Sequence, residues 1–268
     1  MSEKPPPSAE PIGGHVTASA DDDAQPVRAS DRPEPHEGAR QADTQREFLA
    51  FVSHELKNRL ATITGYAQLM RRRGAYDEAA VDAILGQTRR VERLLNDLVD
   101  TAQADAGRLA LRPGPTDLSA VVAAAVADAQ AMTARHTVRD DLPADPVLGS
   151  WDADRLGQVL QNLLGNAVKY APDDTEIVAR LERCHDGNVC VSVVDQGPGV
   201  PPDMLPRLFD RFYRAPTAAT EAPGLGLGLY VSRMLVEAHG GDIWAEPAGC
   251  GTCFRFTLPR RPPAQAPS

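Results

Sequence analysis

Residues 81–102, VDAILGQTRRVERLLNDLVDTA, carry the strongest structural signal in the chain. Apolar or small residues alternate there at intervals of three and four, at Val81, Ile84, Thr88, Val91, Leu95, Leu98 and Ala102. Such a two-position heptad seam is typical of helices that pack lengthwise against other helices, as in coiled coils. The stretch therefore predicts a long helix that has a helical partner along its seam.

A second helical pattern precedes this one, over about residues 45–71. Its apolar positions, again three and four apart, are Leu49, Val52, Leu56, Leu60, Ile63, Ala67 and Met70. Gly74 interrupts the pattern, the next helix begins near Asp77, and Gly107 fits its end. Two long helices with a short turn form a hairpin, and two hairpins together would bury the seam in a four-helix bundle. We therefore expect a homodimer; the alternative is that the hairpin packs against another domain of its own chain.

Beyond the break Pro113-Gly114-Pro115 the pattern mixes helices and strands. Helices are predicted over 118–134, capped by Asp117, and over about 152–170, and a further helix follows a glycine-rich run and ends at His239. A positive charge on His239 would favour that helix end. Strands are predicted at about 189–195 and 252–258. The expected fold class is α+β, a helical hairpin followed by a two-layer α/β sandwich.

Composition indicates which parts of the chain are folded and which classes of function are excluded. Residues 1–44 lack aromatic residues and are rich in proline, so they are expected to be disordered, as is the tail 262–268. The hairpin is assigned to 45–112 and the sandwich to 113–261. The net charge of −9 argues against binding to nucleic acid or an anionic membrane. The longest apolar run, residues 120–127, is far shorter than the roughly 20 residues of a membrane span, which favours a soluble, cytoplasmic protein.

Four short segments carry residues suited to chemistry. His54 lies off the apolar seam, and the carboxylate of Glu55 beside it could orient the imidazole as a nucleophile. Asp195 opens DQGPG, in which the carboxylate could accept a hydrogen bond from an exocyclic amine and the glycines allow close approach of a flat ligand. Each segment alone also fits an ordinary surface helix or turn.

The other two segments fit a phosphorylated ligand. The run GLGLGL at 224–229 leads into a helix, whose N-terminal N–H groups could face phosphate, although a mobile hinge is an equally simple interpretation. The helix predicted over about 152–170 carries three polar residues on one face, Asn162, Asn166 and Lys169, and Tyr170 follows them. Amide oxygens suit Mg²⁺, and lysine suits phosphate.

In this order the segments resemble the histidine kinases of two-component signalling. The matching boxes are FVSHELKNRL (51–60), DADRLGQVLQNLLGNAVKYAP (152–172), DQGPGVP (195–201), LFDRFYRA (208–215), GLGLGLYVSRMLVEAHGG (224–241) and GCGTCFRFTLP (249–259). The resemblance covers about residues 45–260. It implies a dimerisation and phospho-acceptor hairpin and an ATP-binding sandwich of the Bergerat type.

The resemblance also implies roles for individual residues. His54 would accept phosphate from ATP, Glu55 would orient or deprotonate it, and Asn58 would support dephosphorylation of the partner, the receiver domain of a separate response regulator. Asn166 would bind Mg²⁺, and Asp195 would bind adenine. The remaining nucleotide contacts would be Asn162, Lys169, Tyr170, Gly197, Gly199, Arg214, Gly224, Gly226 and Gly228, with Phe209, Phe212 and Arg214 in a lid region.

Arg59 departs from the family pattern, which usually has proline there and a bend in the first helix. This places the balance of kinase and phosphatase activity in question. Two alternatives remain: a dimeric nucleotide-binding scaffold without phosphotransfer, and a serine kinase of the anti-sigma type, which lacks the hairpin. Cys184, Cys190, Cys250 and Cys253 could form a zinc or redox site, although buried free thiols are the simpler interpretation.

Overall fold

The computed structural model describes residues 36–184, 187–214, 226–249 and 251–260, with side chains in the first helix described at residue 50 and from residue 52. The chain divides into units of residues 1–44 and 45–268, and all the contacts described below lie within the second unit. The expected disorder of residues 1–35 and 262–268 lies outside the described residues.

Two long helices form the predicted hairpin. Helix α1 spans His36–Arg73 and α2 spans Glu78–Asp105. The Asp77 side chain caps α2 by accepting a hydrogen bond from the Ala80 amide at 3.1 Å. Helix α1 begins nine residues before the predicted start at 45, so residues 36–44 are helical where disorder was expected. The prolines that suggested disorder all lie upstream of His36.

The described residues between Gly114 and Leu258 form the predicted sandwich. Strand β1 (Gly114–Asp117) pairs antiparallel with β3 (Leu148–Trp151). A five-stranded sheet follows the order β2-β4-β5-β7-β6, in which only the β2–β4 pair is parallel. Its strands are β2 (Thr137–Asp141), β4 (Glu176–Arg183), β5 (Val189–Val194), β6 (Ile243–Ala248) and β7 (Gly251–Leu258).

Three helices cover one face of this sheet and build the core. They are α3 (Leu118–Ala131), α4 (Ala153–Tyr170) and α5 (Gly228–Ala238), with a short 3-10 turn at Leu205–Arg207. Asp117 caps α3 as predicted, and Asp152 caps α4. The inward side chains of β5 and β7 meet the apolar faces of the helices in one continuous core. The sandwich thus has the two expected layers. Among the described residues, no helix combines the length and apolarity of a membrane span.

His239 closes α5 but does not supply the positive charge predicted for it. The side chain is fully buried. Its Nε2 accepts a hydrogen bond from the Asp152 amide at 3.1 Å, and Nδ1 lies 2.7 Å from the Leu235 carbonyl oxygen, to which it donates as the protonated nitrogen. Burial lowers the pKa of His239, opposed by the Leu235 carbonyl and by Asp152. The imidazole is a neutral link between α5 and the start of α4.

Candidate functional site

The predicted site residues lie in two regions of the structure, a pocket at the end of β5 and a surface of the hairpin. Asp195 lies in the first of them, immediately after β5. Its Oδ1 accepts hydrogen bonds from the amides of Gly197 at 2.7 Å and Thr252 at 3.3 Å, which fix the direction of the carboxyl group. Burial raises the pKa of Asp195, and the two backbone amides oppose the rise. The Oδ2 atom has no hydrogen-bond partner among the described residues and is available to a ligand.

Glycine is required at three positions around Asp195. A Cβ atom at Gly197 would lie 2.8 Å from Asp195 Oδ1, and one at Gly251 would lie 1.9 Å from the Asp195 carbonyl oxygen. Gly199 has a φ of +72°, which other residues rarely adopt. Sequence reasoning named Gly197 and Gly199 but assigned no role to Gly251 or Thr252, because they follow Asp195 by more than fifty residues in the chain. Strand β7 brings them back beside β5.

The end of α4 supplies the polar face predicted next to this pocket. The Tyr170 carbonyl oxygen would be 3.4 Å from a Cβ at Gly197, so the end of α4 touches the Asp195 turn. The Lys169 ammonium lies 4.8 Å from the centroid of the Tyr170 ring. Asn166 is half-buried one turn earlier, and its side chain makes no hydrogen bond among the described residues. Its amide oxygen is therefore available to a cation.

Asn162 makes a tertiary contact that the sequence did not indicate. Its Nδ2 donates hydrogen bonds to the Gly228 carbonyl oxygen at 3.1 Å and to Ser232 Oγ at 3.3 Å. The side chain thereby joins α4 to the first turn of α5. Gly226, with a φ of +65°, packs against the backbone of Phe212 and Tyr213. Gly224 lies outside the described residues.

His54 lies in the second region, on α1 of the hairpin, and its side chain is exposed. Its Nδ1 lies 3.1 Å from the amide nitrogen of Asn58, one helical turn further on. This contact leaves Nε2 on the open side of the ring. Glu55 is turned the other way and forms an ion pair with Arg59. Arg59 also donates a hydrogen bond from Nη1 to Gln87 Oε1 on α2 at 3.3 Å.

The hairpin and the sandwich meet beside His54. Val52 on α1 and Leu227 at the start of α5 are buried against each other, with Leu56, Leu94, Leu98, Phe212 and Tyr230 packed around them. Phe212 reaches this apolar cluster with a φ of +65°. Phe209, by contrast, is buried in the sandwich core, where its ring meets that of Phe254 edge to face. Of the lid residues suggested by the resemblance, Phe209 is thus a core residue and Phe212 contacts the hairpin.

A polar contact further along α2 completes this junction. The carboxyl group of Asp100 is buried and forms an ion pair at 2.8 Å with Arg155 on α4. Gln158 donates a second hydrogen bond to it at 2.8 Å. Burial, aided by the charge of Asp100, raises the pKa of nearby Asp97 to about 6. The sequence did not indicate these residues, because charged positions on a long helix usually face water.

The cysteines do not form a metal site among the described residues, where no cluster of three or more histidine, cysteine or acidic side chains has metal-binding geometry. Cys184, Cys190 and Cys253 are free thiols, and the last two are buried. Burial raises the pKa of Cys190 to about 11. Cys250 lies outside the described residues.

Two family matches correspond to the hairpin and to the larger part of the sandwich, with residues 108–150 between them. Residues 44–107 match the His Kinase A (phospho-acceptor) domain. Residues 151–262 match the histidine kinase-, DNA gyrase B- and HSP90-like ATPase family. This chain belongs to the sensor histidine kinases of two-component systems. His54, Glu55 and Asn58 fall within the first matched region, and the pocket around Asp195 falls within the second.

Individual histidine kinases resemble it over most of its length. TcrY of Mycobacterium tuberculosis, a probable sensor histidine kinase, is 38% identical over 227 residues, covering 82% of this chain and 47% of TcrY. WalK of Bacillus subtilis is 33% identical over 225 residues, covering 80% of this chain and 36% of WalK. The chain thus spans less than half the length of these relatives.

Solved histidine kinase structures share the fold. AdeS of Acinetobacter baumannii aligns with 77% of this chain and 98% of its own, with a TM-score of 0.56 and 25% identity. ShkA, solved in complex with AMPPNP, aligns with 80% of this chain and 45% of its own, with a TM-score of 0.55 and 26% identity. Both matches extend across the hairpin and the sandwich.

Proposed function

We propose that this protein is an ATP-dependent histidine kinase that phosphorylates His54 and passes the phosphoryl group to an aspartate of a separate response regulator. The observation that carries the proposal is the shared apolar cluster in which Val52, two residues before His54, packs against Leu227 at the start of α5. This cluster joins the turn of α1 that carries His54 to the start of α5 in the domain that matches the ATPase family.

The pocket around Asp195 is the proposed adenine site. Its free Oδ2 can accept a hydrogen bond from the adenine amino group, while Gly197 leaves room for the ring. The solved complex of ShkA with AMPPNP, an ATP analogue, supports nucleotide binding by this fold. Gly199, Arg214 and the glycines at 224, 226 and 228 remain predicted contacts to the nucleotide.

Asn166 is the proposed protein ligand for Mg²⁺. Mg²⁺ favours hard oxygen donors and usually keeps water and phosphate oxygens in its coordination shell, so one free amide oxygen suits it. When bound, Mg²⁺ would neutralise charge on the phosphates. Lys169 and Tyr170 are proposed to line the same side of the nucleotide. Asn162 is proposed to act mainly by holding the first turn of α5.

The proposed reaction uses the open nitrogen of His54. Nε2 attacks the γ-phosphorus of ATP, a P–N bond forms, the bond from γ-phosphorus to the bridging oxygen breaks, and ADP leaves. This step uses the tautomer with the ring proton on Nδ1, which requires the Asn58 amide to leave that nitrogen, and the ring then loses the Nδ1 proton to Glu55. Positioning and charge stabilisation supply most of the catalysis in phosphoryl transfer. Asn58, exposed beside His54, is proposed to support dephosphorylation of the response regulator.

The dimer and the cellular location are further parts of the proposal. In a single chain the hairpin leaves four large apolar side chains about half exposed, those of Leu60, Leu85, Leu95 and Val99. A second hairpin would cover them and complete a four-helix bundle. Because ATP and response regulators occur in the cytoplasm, the two domains are proposed to act there.

Autophosphorylation with γ-labelled ATP and Mg²⁺ tests the function. We expect base-stable, acid-labile label on the protein, its loss in His54→Gln, and its retention in His36→Gln, the control at another histidine of α1. Asp195→Asn should abolish ATP binding, whereas Asp203→Asn, at an exposed position nearby, should not. Bound ATP without label would contradict the kinase and favour the scaffold; label that survives His54→Gln would contradict the assigned acceptor.

A further inference from the structure

Arg59 contacts both Glu55, the proposed base, and Gln87 on α2, and this position suits a regulatory role. Its side chain and that of Glu55 are only 11% and 12% exposed, although Glu55 directly follows the exposed His54 and Arg59 lies five residues after it. Its guanidinium binds Glu55 on one side and Gln87 of α2 on the other. The carboxylate is thus held inside the hairpin.

The two partners of the proton transfer are consequently engaged elsewhere. Nδ1 of His54 accepts a hydrogen bond from the Asn58 side-chain amide, so in this arrangement it does not carry the proton that the proposed transfer removes. Glu55, which would receive that proton, contacts Arg59. Among the described residues, no hydrogen bond joins Glu55 to His54. For the transfer to occur, Glu55 must leave Arg59 and turn towards the imidazole.

We propose that Arg59 is a positioning residue that restrains autophosphorylation by holding Glu55 away from His54. The inference rests on the proposed kinase function. Because Gln87 lies on α2, a displacement of α2 relative to α1 would break the hydrogen bond to Arg59 and loosen the hold on Glu55. The ion pair therefore couples the packing of the two hairpin helices to the base of the reaction.

Arg59→Met tests this restraint, because methionine keeps much of the side-chain length but cannot hold a carboxylate. We expect the rate of autophosphorylation at saturating ATP to rise about fivefold, which corresponds to releasing an interaction of about 1 kcal/mol, while the KM for ATP stays unchanged. Arg59→Lys retains one charged donor and should give an intermediate rate. Arg71→Met, at an exposed position on the same helix, is the matched control and should behave as wild type.

The Glu55→Gln background separates a positioning role from a purely structural one. Glu55→Gln alone should slow the reaction, and adding Arg59→Met to it should change nothing further, because the group that Arg59 restrains is gone. The side-chain carboxyl ¹³C resonance of Glu55 should move in Arg59→Met and not in Arg71→Met, a readout that requires no activity.

Four results would overturn the inference. They are an unchanged or lower rate in folded Arg59→Met, an equal acceleration in the Glu55→Gln background, a rate for Arg59→Lys at or above that of Arg59→Met, and an unmoved Glu55 resonance. If Arg59→Met does not fold, Arg59→Lys and the resonance decide alone. Absence of label on the wild-type protein contradicts the proposed kinase itself, and a persisting Arg59-dependent resonance would then show that the ion pair exists without that function.

Discussion

Asp97 on α2 is a half-buried carboxylate whose replacement by asparagine should stabilise the protein. It lies where α2 meets the sandwich, and its pKa is raised from 3.8 to about 6 by burial and then by the charge of Asp100. Arg93 and a hydrogen bond from Gln158 oppose the rise without cancelling it. At neutral pH the folded protein therefore holds an unfavourable charge that the unfolded chain does not penalise.

The sign and size of the effect follow from proton linkage. Between pH 3.8 and about 6, the folded protein still binds a proton at Asp97 that the unfolded chain has released. The free energy of unfolding contributed by this group consequently falls as the pH rises through that range, and the loss is complete above it. A difference of about 2 in pKa corresponds to at most about 3 kcal/mol.

Urea unfolding of Asp97→Asn and wild type, followed by circular dichroism from pH 4 to 7.5, measures this contribution. At pH 7.5 the variant should be more stable by about 1–3 kcal/mol, and the difference should shrink as the pH falls towards 4. Asp82→Asn, exposed on the same helix, should show no such pH dependence. A less stable Asp97→Asn at pH 7.5, or a difference that is constant with pH, would refute the reasoning.

Three further predictions concern other contacts. Asp100→Ala should destabilise the protein by about 3 kcal/mol, because Arg155 keeps its charge and loses its buried partner. A double-mutant cycle with Arg155→Ala, measured by urea unfolding, should show strong coupling between the two residues. Additive effects would show that the ion pair does not stabilise the fold. Gly197→Ala should weaken ATP binding at least about tenfold by displacing the Asp195 carboxylate, as measured by calorimetry, whereas Gly165→Ala, which meets no neighbouring atom, should bind normally. His239→Leu should lower the free energy of unfolding by about 1–3 kcal/mol, because the buried Asp152 amide loses its partner; an unchanged urea midpoint would contradict that role.

Local sequence signals predicted the helices of this fold well. The heptad seam predicted α2, and Asp77, Asp117 and Asp152 mark the starts of three helices because a cap acts within its own turn. The strands were harder to predict. β2 and β4 were missed because their outward residues are charged, as in Arg139 and Arg180, so the short apolar pattern is diluted. Strand β5 was predicted because valine recurs along it on the core side.

The candidate site could be predicted only in its parts. The boxes around His54, Asn166 and Asp195 are each contiguous in sequence, so local patterns were enough to single out their residues. Thr252, which fixes the Asp195 carboxyl group, was not assigned a role, because the β5–β7 pairing that joins them spans more than fifty residues. The hold of Arg59 on Glu55 also escaped prediction, although Arg59 itself was recognised as a departure from the family pattern.

The sequence by itself determined the hairpin, the sandwich and the order of the functional boxes, because periodicity, caps and glycine positions act over a few neighbouring residues. Only the tertiary structure decided which of those residues meet. It placed Leu227 on Val52, buried Asp100 against Arg155 and left His239 neutral. The physical reason is that burial and partner choice depend on groups far apart in the chain, and these set the energy of a charge more strongly than its sequence neighbours do.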